Sequence, residues 1–214
     1  MIYNCLDDTV AEAALDAATY ALKRSGVIVL PTDTVYGIGA DAFDARAVAL
    51  LLATKGRGRD MPPPVLVSSP AVLDALAADV PPAARALAEK FWPGPLTLIV
   101  PARPSLTWDL GETYGTVALR MPDDEIALKL LARTGPLAVS SANRSTLPPA
   151  TSAKEAEEYF GYAVPVYLDG GPRTEVRPST IVDTCQNPPR IVRAGDLSHA
   201  ELGAVVPELL DIES

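Results

Sequence analysis

The fold is decided by the stretch VIVLPTDTVYGIGA, residues 27–40. Its first four residues are apolar and three of them are β-branched, which predicts a strand buried on both faces. From Pro31 to Ala40 we expect a loop with two threonine hydroxyls, one tyrosine and two glycines that let the backbone approach a ligand. Ligand sites in α/β folds lie at the carboxyl ends of strands, so this is a candidate binding loop. A capped turn, in which the hydroxyls bond local backbone, explains the pattern equally well.

Outward from this stretch, helical and strand-like segments alternate along the chain, which is typical of an α/β domain with a mixed sheet. Helices are predicted at residues 10–24, 45–54, 71–78, 82–91 and 123–133. Further strands are predicted at residues 65–67, 96–100, 116–120, 137–139, 164–168, 180–182 and 190–192. No repeat, linker or shift in composition divides the chain, so we expect a single domain over residues 1–214.

The net charge of −9 comes from the two ends of the chain. Residues 21–194 carry equal numbers of acidic and basic side chains, which predicts an acidic N-terminal helix and an acidic C-terminal tail. The acidic residues of the two ends are Asp7, Asp8, Glu12, Asp16, Asp196, Glu201, Glu208, Asp211 and Glu213. A broadly basic nucleic-acid or membrane surface is therefore not predicted, whereas a locally basic site is compatible with these numbers.

Cysteine and histidine are too scarce for the common metal sites and catalytic triads. Cys5 and Cys185 are far apart, and His199 is the only histidine. We therefore expect no protein-bound zinc or iron–sulfur site and no histidine-dependent catalysis. No apolar run approaches the roughly 20 residues that span a bilayer, and no secretion signal opens the chain. The expectation is a cytoplasmic enzyme or binding protein.

A basic loop, KGRGRDMP, occupies residues 55–62. Lys55, Arg57 and Arg59 alternate with other residues, so in an extended chain they point the same way. That arrangement is unfavourable unless an anion lies among them, and polyphosphate suits a set of arginine forks and a lysine point charge. A solvated basic loop is the alternative, although such a loop does not need two glycines.

Other strand ends carry polar residues that are individually weak signals. They occur in VALRMP at 117–122, SSANRS at 140–145, PSTIVD at 178–183 and RIVRAG at 190–195. Each is also ordinary turn or surface material.

Taken in order, these stretches resemble the family of YrdC-type threonylcarbamoyl-AMP synthases. The motifs run from about residue 27 to residue 195 and are PTDTVYGIGA, KGRGRDMP, FWPGPLTLIVPA, VALRMP, SSANRS, LDGG, PSTIVD and RIVRAG. The resemblance implies a twisted mixed sheet with flanking helices around a large concave cavity. It also implies that L-threonine, bicarbonate or CO₂, and ATP are condensed to threonylcarbamoyl-AMP and pyrophosphate. That product serves the t6A modification of tRNAs that read ANN codons.

The resemblance also implies roles for individual residues. The expected threonine-binding residues are Thr32, Thr34, Arg120, Ser179 and Thr180. The expected ATP-binding residues are Lys55, Arg57, Arg59, Ser141, Asn143 and Arg193, with Lys55 and Arg57 as the catalytic pair. Mg²⁺ is expected to be bound with ATP and not by protein ligands. Further expected partners are the downstream threonylcarbamoyl-transfer machinery and, weakly, tRNA or double-stranded RNA.

Two positions depart from many members of that family. Met61 stands where they have lysine or asparagine, and Leu66 where they have histidine. One contact to phosphate and one to threonine are therefore expected to be missing or replaced, with Arg59 as a substitute. Longer members append a second domain, so this chain is expected to be the short, single-domain form.

Two other functions compete with the synthase. One is an RNA-binding module of the same fold without catalysis, which the pI of about 4.6 disfavours. The other is a carbamoyl-transfer domain related to hydrogenase-maturation proteins, which also carry zinc-finger cysteines that this chain lacks. The scarcity of histidine suits the synthase, because a carbamate is already anionic and needs positioning and charge stabilisation more than a base.

Overall fold

The computed structural model describes residues 1–174 and 177–212 as an α/β arrangement. Its ten strands within these ranges are β1 (Ile2–Asn4), β2 (Ile28–Leu30), β3 (Gly37–Asp41), β4 (Val65–Leu66), β5 (Leu96–Pro101), β6 (Thr116–Arg120), β7 (Leu137–Ser141), β8 (Val166–Asp169), β9 (Thr180–Asp183) and β10 (Arg190–Arg193). Its helices are α1 (Asp8–Lys23), α2 (Ala45–Lys55), α3 (Ala71–Leu76), α4 (Pro82–Phe91), α5 (Glu125–Thr134), α6 (Ala153–Phe160) and α7 (His199–Gly203), with a 3₁₀ turn at Gly161–Ala163.

All ten strands form one sheet in the order β1-β8-β2-β3-β7-β4-β6-β5-β9-β10. β8 pairs in parallel with β1 and β2, β4 with β6, and β5 with β9, whereas the other neighbours are antiparallel. The predicted α/β class and mixed sheet are thereby confirmed. No helix in the described residues is both long and apolar enough to cross a membrane.

The two faces of the sheet are covered differently. One face packs against α2, α3, α4, α6 and α7 in a large apolar cluster that includes Val27 and Val29. The other face packs against α1 and α5 in a second cluster that includes Ile28 and Leu30. β2 is therefore buried on both sides, as its apolar sequence predicts. The cluster of α1 and α5 contains no residue of β5, β6, β9 or β10, so this face is left uncovered along those four strands.

The prediction of a loop from Pro31 to Ala40 is wrong in its second half, where β3 lies. Gly37 and Gly39 are there because the neighbouring strand packs closely against them. A Cβ at Gly37 would lie 2.5 Å from a methyl group of Val139, and one at Gly39 would lie 3.1 Å from the other. Glycine in a strand marks such a close approach, which a pattern of side chains along one segment does not show.

The acidic N-terminal helix is present, and Asp7 caps it through the backbone N–H of Thr9. Glu12 and Asp16 of this helix pair with Arg133 of α5, which ties the two helices together. In the C-terminal tail α7 is an additional helix with a capping box between Ser198 and Glu201. Glu213 lies outside the described residues.

Gly195 allows two distant parts of the chain to meet. A Cβ at this position would overlap the backbone of Thr180, Pro178 and Ser179. Asp196 N donates to Pro178 O at 3.0 Å, directly after this contact. The segment after β10 is therefore packed on the segment that enters β9.

Gly195→Ala is expected to destabilise the protein by about 1–3 kcal/mol, because the added methyl group meets backbone atoms that cannot rotate away. Gly203→Ala is the matched control, since a Cβ there meets nothing within 4 Å and alanine favours a helix by up to about 1 kcal/mol. Urea unfolding measures the free energy of unfolding of both variants, provided that their m-values equal that of the parent. A Gly195→Ala protein as stable as the parent would contradict the close approach.

Candidate functional site

A cavity of about 830 Å³ lies on the part of the sheet that α1 and α5 leave uncovered. Alternate residues of the strands form its floor, among them Thr97 and Ile99 of β5 and Thr116 and Ala118 of β6. Successive residues of a strand point to opposite faces, so the intervening Leu98 and its neighbours pack in the core. This volume is within the usual range for small-molecule sites. The predicted large cavity is thereby confirmed.

Arg120 lies at the end of β6 and is fixed by three bonds. Its Nη2 pairs with Asp33 Oδ1 at 2.6 Å, its Nη1 donates to Thr34 Oγ1 at 3.1 Å, and its Nε donates to Gly94 O at 3.1 Å. Burial lowers the pKa of Arg120, and the charge of Asp33 opposes that shift. An arginine held in this way presents a preorganised charge to the cavity that it lines.

Thr32 and Thr34 both line the cavity, as predicted for the loop after β2. Their hydroxyls are 3.1 Å apart, and Thr32 Oγ1 also donates to Val35 O at 2.6 Å. The turn is capped by its own hydroxyls, and both residues line the cavity. Their contact with threonine stays a prediction. Asp33 between them pairs with Arg120 and is not among the predicted site residues.

Arg57 reaches the cavity because α2 ends two residues before it. Gly56 adopts a left-handed backbone with φ of 64°, which turns the chain away from the helix. Arg57 Nη1 donates to Ser140 Oγ at 2.9 Å, while its buried Nε has no partner among the described residues. Burial lowers the pKa of this guanidinium. Because Arg57 lines the cavity, its positive charge favours an anion bound there.

Arg193 enters the same cavity through a break in the register of β10. Ile191 pairs with Val182 but Arg193 pairs with Ile181, so Val192 is an extra residue, and such a bulge re-aims the side chains that follow it. Arg193 Nη2 donates to Ser179 O at 2.7 Å and to Ser179 Oγ at 2.9 Å. Burial, followed by the charges of Arg120 and Arg57, lowers the pKa of Arg193.

The guanidinium groups of Arg57, Arg120 and Arg193 supply the positive charge of the cavity. In the described part of the chain, Asp33 is the only carboxylate that forms an ion pair with any of them. The net charge of the wall is therefore positive, and the arginines are close enough to perturb one another. Such a site favours an anionic ligand.

Lys55 takes a different position from the one predicted. It is buried and is not among the residues that line the cavity. Its Nζ donates to Ser141 O, to Asn143 O at 2.7 Å and to Asn143 Oδ1 at 3.3 Å, so all three of its protons are engaged. Lys55 thus ties the end of α2 to the turn after β7. Its contact with ATP, and that of Asn143, remain predictions.

Arg59 also points elsewhere, so the expectation that all three cations of the basic loop share one direction is not met. It forms an exposed bidentate pair with Asp109, at 2.7 and 3.1 Å, and does not line the cavity. The reason is that the backbone of residue 59 is bonded to the 109–112 segment, where Glu112 N donates to Arg59 O at 2.8 Å. Its proposed contact with ATP stays a prediction.

The remaining candidates divide in the same way. Ser141 and Ser179 line the cavity. Thr180 does not line it, and its hydroxyl donates to Leu197 O at 2.7 Å within the protein. Leu66 lines the cavity beside Arg120, its register partner on the neighbouring strand. Met61 is exposed and does not line it. Met61 is apolar and Arg59 pairs with Asp109 outside the cavity, so a replacement contact from Arg59 stays a prediction.

Comparison with known proteins identifies the family. The Sua5/YciO/YrdC family model, described as telomere recombination, matches residues 20–195. The chain belongs to this family.

Relatives of this chain include two bacterial proteins. It is 49% identical over 205 residues to a Mycobacterium leprae protein provisionally named a threonylcarbamoyl-AMP synthase, covering 96% of this chain and 93% of that protein. It is 35% identical over 174 residues to the threonylcarbamoyl-AMP synthase of Thiobacillus denitrificans, covering 81% and 91%.

A solved structure of the same family is also similar. The crystal structure of Pyrococcus abyssi Sua5 complexed with L-threonine matches with a TM-score of 0.93 at 36% identity. The match covers 99% of this chain and 62% of the Sua5 chain, so this chain spans less than two thirds of that relative. The resemblance that the ordered motifs indicate is thereby confirmed.

The Lys55 ammonium is expected to titrate near pH 8. Burial, and then the positive charge of Arg57, lower its pKa from 10.5 to about 8. Between this value and the roughly 10.4 of an unfolded chain, the unfolded state binds more protons. Lys55 therefore makes the free energy of unfolding rise with pH across that interval.

Side-chain ¹⁵N NMR of the lysines measures this directly. Lys129 is the internal reference, because it is exposed and its pairing with Glu125 raises its pKa. If Lys55 and Lys129 titrate together above pH 10, the assigned environment of Lys55 is wrong.

Proposed function

We propose that this protein is an L-threonylcarbamoyladenylate synthase, which condenses L-threonine, bicarbonate or CO₂, and ATP and releases pyrophosphate. The observation that carries the proposal is the convergence of Arg57, Arg120 and Arg193 on one cavity with a single paired carboxylate. Two anionic groups, an amino-acid carboxylate and a triphosphate, would balance these charges. The names of its relatives, and the threonine of the Pyrococcus abyssi complex, support the same assignment.

The threonine end of the cavity is assigned to Arg120 with Thr32 and Thr34. Arg120 uses three of its five N–H groups within the protein, which leaves two for a carboxylate. Because Asp33 and Gly94 hold the guanidinium in place, little reorganisation is needed when the amino acid binds. Leu66 offers an apolar surface beside it.

The phosphate end is assigned to Arg57 and Arg193, with Ser141 near the nucleotide. Both guanidinium groups bond only to serine oxygens in the described residues, so each retains donors for phosphate. Arginine forks match phosphate oxygens in geometry and charge. Lys55 and Asn143 would support this end by fixing the turn that carries Ser141.

The chemistry then needs positioning and charge stabilisation. The threonine amine bonds to the carbon of CO₂, which is in equilibrium with bicarbonate, and releases a proton to water. The resulting carbamate oxygen attacks the α-phosphorus of ATP, and the bond to the β-phosphate breaks with pyrophosphate as leaving group. Charge grows on phosphate oxygens during this step, where fixed arginines stabilise it.

Mg²⁺ would enter with ATP as part of the substrate. No carboxylate lines the cavity in the described residues, and Asp33 is already paired with Arg120. Such a wall fits a hydrated Mg²⁺ held by phosphate oxygens, because Mg²⁺ commonly keeps several waters. When bound, the ion would neutralise phosphate charge.

The product would pass to threonylcarbamoyl-transfer machinery that completes t6A on tRNA. The cytoplasm, where tRNA, ATP and threonine occur together, is the proposed location. Direct binding of tRNA or double-stranded RNA would be weak, because the acidic ends leave no excess of cations overall.

Pyrophosphate release from MgATP by the purified protein tests the proposal. Release is expected to require both L-threonine and bicarbonate, and mass spectrometry of the products is expected to show threonylcarbamoyl-AMP. Omission of either substrate is the matched control.

Two outcomes would contradict the synthase. Release that is indifferent to threonine would indicate a different nucleotidyl transfer. No release under any condition, together with salt-dependent RNA binding, would favour the non-catalytic RNA-binding module.

A further inference from the structure

A buried ion pair outside the cavity has no role in the chemistry above. Arg173 Nη2 lies 2.6 Å from Asp124 Oδ2, and the two side chains are 19% and 11% exposed. Among the ion pairs of the described residues only Arg120–Asp33 is more enclosed. Burying two charges is costly unless their geometry is good, so a pair at this position needs a reason.

Arg173 lies beside Tyr36, a residue of the cavity lining whose side chain packs in the core. Its guanidinium carbon is 5.6 Å from the centre of the Tyr36 ring, within cation–π range, and Tyr36 is fully buried. The Tyr36 hydroxyl donates to Gly171 O at 2.7 Å and accepts from Gly170 N at 3.0 Å. Both the ring and the hydroxyl of Tyr36 are therefore held by residues 170–173.

Tyr36 in turn fixes the loop that carries Thr32 and Thr34. Its backbone N–H donates to Ala150 O at 3.1 Å, and its carbonyl accepts from Ala142 N at 2.7 Å. These bonds place Tyr36 between the turn after β7 and the threonine end of the cavity. A shift of its ring would move Thr34, which contacts Arg120.

Asp124 connects the same ion pair to Arg120 from the other side. It caps α5 by accepting from Ala127 N at 2.9 Å. The preceding residue, Asp123, donates its backbone N–H to Asp33 Oδ1 at 3.1 Å, and Asp33 pairs with Arg120. Arg173 is thus the link between two supports of the threonine end, the start of α5 and the ring of Tyr36.

We propose that Arg173 is a positioning residue that fixes the amino-acid end of the cavity through Asp124 and Tyr36, without touching the substrate. That the substrate at this end is an amino acid rests on the proposed function. That Arg173 positions the Thr32–Tyr36 loop does not depend on the proposed function. Arg173 falls in none of the motifs from which the family resemblance was read, and it does not line the cavity.

Arg173→Met tests the kinetic consequence, because it retains much of the apolar stem and removes the charge. The apparent KM for threonine is expected to rise about tenfold or more, since small misplacements of binding groups are costly. The KM for ATP is expected to rise less than that for threonine, because Arg57 and Arg193 bond to Ser140 and Ser179 and not to the loop of Tyr36.

Arg133→Met is the matched control. It removes an arginine of α5 that pairs with Glu12 and Asp16, and this arginine neither lines the cavity nor pairs with Asp124. It is expected to leave both KM values unchanged. Arg173→Lys is expected to recover part of the loss, because lysine restores the charge but not the planar fork. Equal rises in both KM values, or none, would overturn the amino-acid role.

Hydrogen exchange tests the positioning without any substrate. In Arg173→Met, the amides of Tyr36 and Ala142 are expected to exchange at least about tenfold faster than in the parent, while Arg133→Met leaves them unchanged. Unchanged protection in Arg173→Met would overturn the proposal. If Arg173→Met does not fold, Arg173→Lys is measured instead. Its amides at Tyr36 and Ala142 are expected to exchange faster than in the parent, and exchange at the parental rate would overturn the proposal.

The two experiments separate the two proposals. If the parent shows no threonine-dependent turnover, the proposed function fails, and hydrogen exchange still decides whether Arg173 positions the loop. If turnover is threonine-dependent but exchange is unchanged, the proposed function stands and the role of Arg173 fails.

Discussion

The structure depends on a concentration of positive charge that its own carboxylates do not balance. Arg57, Arg120 and Arg193 share one cavity, and Asp33 is the only carboxylate in the described residues that pairs with them. Burial, and then repulsion by the charges of Arg120 and Arg57, lower the pKa of Arg193. A chain with a net charge of −9 has acids enough to neutralise such a site, yet their excess over the basic residues lies at its two ends. The cavity is therefore built for an anion from outside.

The sheet topology explains how residues far apart in sequence supply this site. Parallel pairing of β5 with β9 brings Thr97 beside Ser179, whose hydroxyls are 2.8 Å apart. The close approach at Gly195 then places Arg193 against Ser179. On the opposite side, Lys55 joins α2 to the turn after β7. These hydrogen bonds and close contacts join separate strand ends into one wall of the cavity.

Much of the fold and part of the site could be predicted from sequence. The apolar run at 27–30, the alternation of helices and strands and the order of the motifs indicated the mixed sheet and the cavity. The anionic ligand stays a prediction. The S-x-x-E patterns at Ser152 and Ser198 are local signals for the starts of α6 and α7, where both serines cap the helix. β3 was missed because its glycines serve a cross-strand contact with Val139.

The rest depends on tertiary neighbours that no local pattern reveals. Lys55 looks like a phosphate ligand in sequence, but its acceptors come from residues 141 and 143. Arg59 looks equivalent to Arg57, but Asp109 is its partner. Asp33 lies between two threonines, and only the fold brings Arg120 to it, 87 residues away.

Thermal unfolding of Arg57→Gln with and without MgATP tests the central claim most directly. Arg85→Gln is the control, because Arg85 forms an exposed pair with Asp74 and does not line the cavity. A ligand stabilises the folded state by RT ln(1 + [L]/Kd), so loss of binding removes the shift. If Arg57 serves to bind an external anion, its variant unfolds at the parental temperature or higher without ligand and loses most of the stabilisation by MgATP, whereas Arg85→Gln retains that stabilisation. An Arg57→Gln protein that is markedly less stable when free, yet fully stabilised by MgATP, would contradict the account.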